Sequence, residues 1–371
     1  MNPNLAESHS SQSMLLLSRL LLVPQDDDDS SSPMIARLRS DVGGISRQEF
    51  DDLLMLAQSN HVVVRGLEVF IGITREATDD TRAEWAQAAL AAERARIATA
   101  LRFLEDICTV FESEKYDVAV IKSLDHWPDL GSDLDLYTNA KSQDVAKLMK
   151  SRFDAQVAPR SWGDRLAGKW NFIVPGLPEA VEVHVGRLGQ TGEQVGIASH
   201  LAERSRQVMI GNHAFRVPSV SDRLMISTLQ RMYRHFYFRL CDVVDTAALS
   251  ESGAIDYRDL RASAADCGIW EGVATYLVIV SDYVRKYSGS GLDLPHFVRD
   301  AARFSGDEVY YSRQFLRVPI MPQAVKLYGS QLAGLLRKRD LQNGARLSLL
   351  PWLATAALVG QRFTGSDKGI W

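Results

Sequence analysis

Two short segments in which polar and apolar residues alternate strictly interrupt a chain that is otherwise patterned for helices. Residues 133–137 read DLDLY and residues 180–185 read AVEVHV. Because successive side chains of a strand point to opposite faces, this alternation predicts two strands that each bury one face. Apolar residues recur at helical spacing from Phe50 onward and again after residue 218. The strands therefore belong to a small sheet within a largely helical protein.

The chain between residues 115 and 218 has the pattern of a mixed α/β unit. Strands are predicted at residues 116–121, 133–137, 155–158, 169–174 and 180–185, and a helix at residues 142–153. Pro175, Gly176 and Pro178 separate the last two strands, and this turn chemistry predicts a hairpin.

We predict an α+β fold with four consecutive parts. Residues 1–45 are expected to be largely disordered, because residues 1–32 are rich in Ser, Asn and Asp and the run from Asp26 to Ser32 has no apolar residue; a short docking helix at residues 14–22 is the alternative. A helical region (residues 46–114), the α/β core (115–218) and a helical C-terminal domain (219–371) follow. Within that last domain, residues 224–249 predict one long amphipathic helix.

Composition excludes several classes of protein. The net charge of -4 excludes a uniformly basic nucleic-acid coat. Three cysteines, Cys108, Cys241 and Cys267, are too few and too scattered along the chain to predict a disulfide framework or a zinc site. No segment is long and apolar enough for a transmembrane helix, and no signal peptide is recognisable. We therefore expect a cytoplasmic protein.

The positive charge is concentrated near the C-terminus. Residues 313–371 contain nine Lys or Arg against two Asp or Glu. An apolar stretch at residues 347–359 follows the basic run Arg337, Lys338 and Arg339. This pattern predicts either a peripheral contact with an anionic surface or a packed, solvated terminal helix.

Carboxylates on the two alternating strands carry the chemistry. Asp133 and Asp135 lie two residues apart, so they share one face of their strand. On the second strand Glu182 and His184 lie opposite the apolar face formed by valines. If the two strands are neighbours, three carboxylates converge, and such hard oxygen ligands suit Mg²⁺. Solvated acidic faces are the simpler alternative for either strand alone.

These residues resemble the nucleotidyltransferase fold of the polymerase-beta superfamily. There a Gly-Ser turn follows the first strand, a D-x-D strand comes next, and a later strand supplies a third carboxylate. More closely, the chain is similar to an uncharacterised bacterial nucleotidyltransferase family with an L-K-G turn and an S-D-I-D-L strand. Residues 50–70, Glu182-Val183-His184 and residues 235–242 (HFYFRLCD) extend the likeness over about residues 46–250. Ser123 stands where that family has Gly.

The resemblance implies a small mixed-sheet nucleotidyltransferase core and a Mg²⁺-dependent reaction. Asp133, Asp135 and Glu182 would hold two Mg²⁺ ions, or Glu182 would act as the base that takes a proton. A nucleoside triphosphate, by default ATP, would donate its nucleoside monophosphate to an unknown hydroxyl. The residues expected to contact the nucleotide are Lys122, Ser123, Ser132, Lys169 and Arg239.

Several alternatives stay open at this stage. The acceptor can be a small molecule, a protein or an RNA. The Ser123 turn also suits an inactive descendant that keeps the fold as an interaction protein, because Gly allows closer approach of phosphate to the backbone. A toxin-like enzyme that modifies transfer RNA is a further possibility. His235, Arg239 and Asp242 share a helix face by spacing, and a structural role is expected for Asp242.

Overall fold

The sheet predicted from the alternating segments forms the centre of an α+β fold. The computed structural model describes residues 3–24 and 33–352. Within these ranges a small mixed sheet lies between helices that precede it and helices that follow it along the chain, as predicted. The helices before the sheet are α1 (Pro3–Leu22), α2 (Pro33–Gly44), α3 (Arg47–Ser59), α4 (Val63–Glu76) and α5 (Asp80–Ser113).

The first two helices correct the prediction that residues 1–45 are largely disordered. Leu17 and Leu20 on α1 are almost completely buried, as are Leu38 and Val42 on α2. Both helices pack on α4, and α1 also packs on α3. Each therefore carries an apolar stripe at helical spacing, and the stripe of α1 includes the apolar run at residues 14–22. The acidic run at residues 26–32 lies outside the described residues.

The central sheet has five strands in the order β1-β2-β5-β4-β3. Its strands are β1 (Val118–Val120), β2 (Asp133–Thr138), β3 (Gln156–Val157), β4 (Lys169–Ile173) and β5 (Ala180–Val185), with α6 (Ser142–Phe153) and α7 (Trp162–Ala167) between them. Strands β2 and β5 are parallel, whereas the other pairs are antiparallel. The β4–β5 pair is the predicted hairpin.

The register of β2 and β5 follows their hydrophobic alternation. Leu134 pairs with Val181 and Leu136 with Val183, and all four side chains are fully buried. The intervening residues of both strands consequently point to the opposite face of the sheet. This arrangement fixes which side chains can form a site there.

The remaining chain is mostly helical. Its elements are α8 (Val195–Arg204), β6 (Arg206–Ile210), β7 (His213–Val217), α9 (Val220–Gln230), β8 (Tyr237–Phe238), α10 (Leu240–Glu251), α11 (Tyr257–Asp266), α12 (Trp270–Ser288), α13 (His296–Ala301), β9 (Tyr310–Ser312), β10 (Phe315–Arg317), α14 (Val325–Arg337) and α15 (Leu341–Ser348). Helix α12 is the buried centre of this part and packs on α9, α10 and α13.

The prediction of one helix over residues 224–249 is wrong. Helix α9 ends at Gln230, a π-helical turn spans Arg231–His235, and β8 then pairs with β10. Phe236 adopts a left-handed conformation between turn and strand. Strand pairing with a segment distant in sequence overrides the continuous helical periodicity here. The break turns several polar side chains toward the sheet.

Side-chain hydrogen bonds connect helix α15 of the basic C-terminal part to the α/β core. Arg346 of α15 donates hydrogen bonds to the carbonyl oxygens of Leu166 and Thr191, at 2.9 and 3.0 Å. Most of the apolar stretch at residues 347–359 lies outside the described residues, so its contact with an anionic surface stays a prediction. Among the helices that are described, none has the length and apolar character required to cross a membrane.

Candidate functional site

A polar cleft lies between the acidic face of the sheet and the π-helical turn that follows α9. Its volume is about 230 Å³. All eight site residues predicted from the sequence line it: Lys122, Ser123, Ser132, Asp133, Asp135, Lys169, Glu182 and Arg239. The fold thus collects residues that are spread over more than a hundred positions of the chain.

The parallel pairing of β2 and β5 positions the carboxylates. Asp135 is directly opposite Glu182 in the register, and both side chains face the cleft. Asp133 lies one pleat earlier on β2 and is exposed at the mouth. The expectation that the two acidic strands are neighbours is therefore met, and the carboxylates of Asp135 and Glu182 form the inner wall.

Three ligand atoms at the inner wall lie within 4.8 Å of one another and could hold a metal ion. They belong to Asp135, Glu182 and His184. His184 Nε2 is 2.7 Å from Glu182 Oε1 and 3.8 Å from Asp135 Oδ1. Asp133, expected as a ligand, is outside this group of atoms, whereas His184 was not predicted as a ligand. Its position beside Glu182 on the same strand face was nevertheless visible in the sequence.

Two lysines already neutralise these carboxylates. Lys122 Nζ contacts Asp135 Oδ1 and lies 3.5 Å from Glu182 Oε1. Lys169 Nζ contacts the other oxygen of Glu182. The inner wall is consequently a buried network of ion pairs. A metal ion at the three ligand atoms would replace at least the contact that Lys122 makes with Asp135.

The network shifts the pKa of its members. Burial alone would lower the pKa of Lys122, but Asp135 and Glu182 outweigh burial and raise it. Burial opposes ionisation of Glu182, yet Lys122, His184 and Lys169 together hold its pKa well below the usual value. Partial desolvation and the two neighbouring carboxylates raise the pKa of Asp133. Lys122 is therefore held charged, and Glu182 is held ionised.

The turn after β1 is built differently from a glycine turn. Lys122 has a φ of 63°, a left-handed conformation that is uncommon for a residue with a side chain. Ser123 Oγ accepts a hydrogen bond from the Asp135 N–H at 2.7 Å and donates to the Asp133 carbonyl oxygen at 3.1 Å. The Ser123 N–H donates to the Ile121 carbonyl oxygen. Both donors of Ser123 are thus engaged within the protein.

The opposite wall of the cleft is basic. Arg231, Arg234, His235 and Arg239 line it. Arg231 is fully buried and its Nε lies 2.7 Å from an oxygen of Asp242. None of the ion pairs found among the described residues uses Arg234 or Arg239, so both cations face the cleft without a carboxylate partner in that part of the chain. Burial and Arg234 lower the pKa of His235 to about 2, and this imidazole is neutral.

Asp242 has the structural role expected for it, and its partner is Arg231. Its carboxylate accepts the Arg239 N–H at 2.7 Å, which caps the first turn of α10, and pairs with the Arg231 side chain. The Arg239 guanidinium is therefore free of Asp242, and its Nη1 lies 3.4 Å from His61 Nδ1. Sequence reasoning missed His61 and Arg234, because only the tertiary fold brings them to the cleft.

The cleft combines residues that could hold a metal ion with cationic side chains. Oxygen ligands lie on one wall and arginines on the other. The cavity between the two walls has the size of a small-molecule site. Comparison with known proteins adds no independent assignment: no family model, no curated protein and no solved structure matches the chain.

Proposed function

We propose that this protein is a Mg²⁺-dependent nucleotidyltransferase that moves a nucleoside monophosphate from a triphosphate, by default ATP, to a hydroxyl acceptor. One observation carries the proposal: Asp135 and Glu182, on adjacent parallel strands, face Arg234 and Arg239 across one cleft. Oxygen ligands of this kind suit Mg²⁺, and unpaired guanidinium groups suit phosphate. The resemblance of the S-D-L-D-L strand to the nucleotidyltransferase family supports the same function.

Two carboxylates of the donor set support the metal that the proposal requires. The carboxylates of Asp135 and Glu182 form the inner part of the set, and Asp133 lines the same cleft. Bound Mg²⁺ would neutralise charge on the triphosphate and lower the pKa of the attacking hydroxyl. His184 adds a nitrogen ligand, which suits softer divalent ions better than Mg²⁺.

The side chains of the protein bind and orient the substrate. Lys122 and Lys169 lie among the carboxylates and can turn to phosphate oxygens when the cation takes their place. Arg234 and Arg239 hold the triphosphate from the other wall. In the reaction the acceptor oxygen bonds to the α-phosphorus, the bond from that phosphorus to the bridging oxygen breaks, and pyrophosphate leaves. Glu182, ionised in the structure, can accept the hydroxyl proton.

A specific observation favours a second candidate, an inactive protein that keeps the nucleotidyltransferase fold. The carboxylates are already paired with Lys122 and Lys169, and both donors of Ser123 are engaged. A protein of this kind would bind triphosphate, or nothing, and release no pyrophosphate. The two candidates differ in turnover, so they can be separated by experiment.

The test is calorimetric binding of the four common triphosphates with and without Mg²⁺, followed by an assay for pyrophosphate release with candidate acceptors. We expect wild type to bind one triphosphate only with Mg²⁺, and Asp133→Ala/Asp135→Ala to lose that binding. Asp106→Ala, which removes an exposed carboxylate from α5, is the matched control. Metal-dependent binding that survives the double substitution contradicts the proposed site. Binding without pyrophosphate release from any acceptor supports the inactive candidate.

A further inference from the structure

A second group of metal-ligating side chains lies beside the cleft, apart from the acidic wall. The ligand atoms of His61, His126 and Cys241 lie within 4.8 Å of one another, and all three residues are buried. They come from separate parts of the fold: the connection between α3 and α4, the loop before β2, and the first turn of α10. Their spacing along the chain did not predict a zinc site.

The distance between the sulfur of Cys241 and the Nε2 atom of His126 suits a transition metal. Cys241 Sγ lies 3.6 Å from His126 Nε2. A tetrahedral zinc ion, with Zn–S of about 2.3 Å and Zn–N of about 2.0 Å, places its sulfur and nitrogen ligands about 3.5 Å apart. The pair can therefore accept an ion between them with almost no movement.

The other nitrogen of His126 is held as it is in metal-binding histidines. Asp245 Oδ2 lies 2.5 Å from His126 Nδ1. Asp245 is itself fixed by Arg65, whose Nη1 donates a hydrogen bond of 2.7 Å to Asp245 Oδ1. A carboxylate at Nδ1 sets the tautomer and leaves Nε2, which faces Cys241, with its lone pair for a metal ion.

Hydrogen bonds of Asn60 join the backbone next to His61 to the first turn of α10, which carries Cys241. The Asn60 side-chain oxygen accepts the Leu240 N–H at 3.0 Å, and its carbonyl oxygen accepts the Cys241 N–H at 3.2 Å. His61, the next residue, has a φ of 54°. A left-handed histidine costs free energy and persists only where its surroundings impose it. The backbone is thus shaped to bring His61 to Cys241.

The same geometry resembles a nucleophilic Cys–His–Asp arrangement, but access argues against that use. Cys241 is completely buried, so an organic substrate cannot reach its sulfur. His61 and His126, in contrast, line the cleft. An ion bound there would have three protein ligands and a fourth position directed to the cleft.

We propose that His61, His126 and Cys241 bind a transition-metal ion, with Zn²⁺ as the first candidate, at a site distinct from the Mg²⁺ ligands. Binding through His61 would break its 3.4 Å contact with Arg239, because the guanidinium and the ion carry like charge. The site shares no ligand with Asp135 or Glu182, although it opens on the same cleft and contacts Arg239, which is proposed to hold the triphosphate.

The test measures zinc content and cobalt spectra of the full-length protein. Wild type purified without chelators should retain about one equivalent of Zn²⁺ after dialysis, and Co²⁺ should give the thiolate-to-metal absorption and intense visible bands of a tetrahedral site. Cys241→Ser should abolish the thiolate absorption. Asp245→Asn should weaken the affinity for Zn²⁺ about 10–100-fold.

Controls separate metal binding from folding and from the nucleotide site. Cys267→Ser removes a buried thiol elsewhere and should leave the spectrum unchanged. His61→Asn keeps a residue type that tolerates the left-handed backbone and should lose affinity while the circular dichroism spectrum is retained. Asp133→Ala/Asp135→Ala should retain zinc. A folded wild type that gives no thiolate absorption with Co²⁺, or an unchanged spectrum in Cys241→Ser, overturns the proposal.

Discussion

The ammonium group of Lys122 is expected to compete with Mg²⁺ for the acidic wall. Its Nζ contacts Asp135 and lies 3.5 Å from Glu182, and only 14% of the side chain is exposed. Lys122→Met keeps most of the apolar stem and removes the charge. Breaking a buried ion pair from one side costs about 3–5 kcal/mol. Because Lys169 still neutralises Glu182, we expect a loss at the lower end, about 3 kcal/mol.

The same substitution should have opposite effects on the two ligands. Mg²⁺ alone should bind at least tenfold more tightly to Lys122→Met, a gain of about 1.4 kcal/mol, because no ammonium group has to leave. Triphosphate should bind about 10–100-fold more weakly, because a charge-assisted hydrogen bond of about 1.5–3 kcal/mol to phosphate is lost. A general loss of structure would weaken both.

Isothermal titration with Mg²⁺ alone and then with triphosphate at saturating Mg²⁺ measures the two effects separately. Thermal unfolding with and without Mg²⁺ gives the change in stability. Lys147→Met, on the exposed surface of α6, is the matched control. Equal Mg²⁺ affinity of wild type and Lys122→Met would refute the reasoning, because it would mean that the ammonium does not occupy a position the metal needs.

Three further substitutions test the framework of the site. Asp242→Asn should lower the free energy of unfolding by about 3–5 kcal/mol in a denaturant titration, since it leaves buried Arg231 unpaired; a neutral result would place the arginine's partner elsewhere. Ser123→Ala should cost about 1–3 kcal/mol in the same assay, because the Asp135 N–H loses its acceptor, and full stability would contradict the bond. Leu17→Ala should cost about 2–5 kcal/mol; an unchanged thermal midpoint would show that α1 is not part of the core.

Local periodicity accounts for the parts of the fold that could be predicted. The predicted bounds of α6, residues 142–153, coincide with the helix, and β2 and β5 lie where the sequence alternates. These elements bury one face against a single core, so their residues carry the full pattern. The π-helical turn at Arg231–His235 and strand β8 do not show such a pattern in their own sequence. Strand β8 instead depends on pairing with β10, more than seventy residues away.

The site shows the same division between local and tertiary information. The positions of Asp135 and Glu182 follow from the alternating patterns of two strands and from the assumption that these strands are neighbours in the sheet. The parallel pairing of β2 and β5 satisfies that assumption. The ion pairs made by Lys122 and Lys169 were not predictable, because they depend on how long side chains fold back over the sheet. His61 could not be assigned to the cleft from its own sequence context.

The charges of the cleft predict an order of binding. Five cations line it against the carboxylates of Asp133, Asp135 and Glu182; Arg231 is engaged by Asp242, and Lys169 lies 3.7 Å from Asp164 as well as contacting Glu182. Arg234 and Arg239, which form no ion pair among the described residues, oppose entry of free Mg²⁺ and attract triphosphate. Once phosphate oxygens draw Lys122 away, Asp135 is released to the metal. Mg²⁺ affinity measured with bound triphosphate should therefore exceed that of the free protein, and Lys122→Met should reduce the difference.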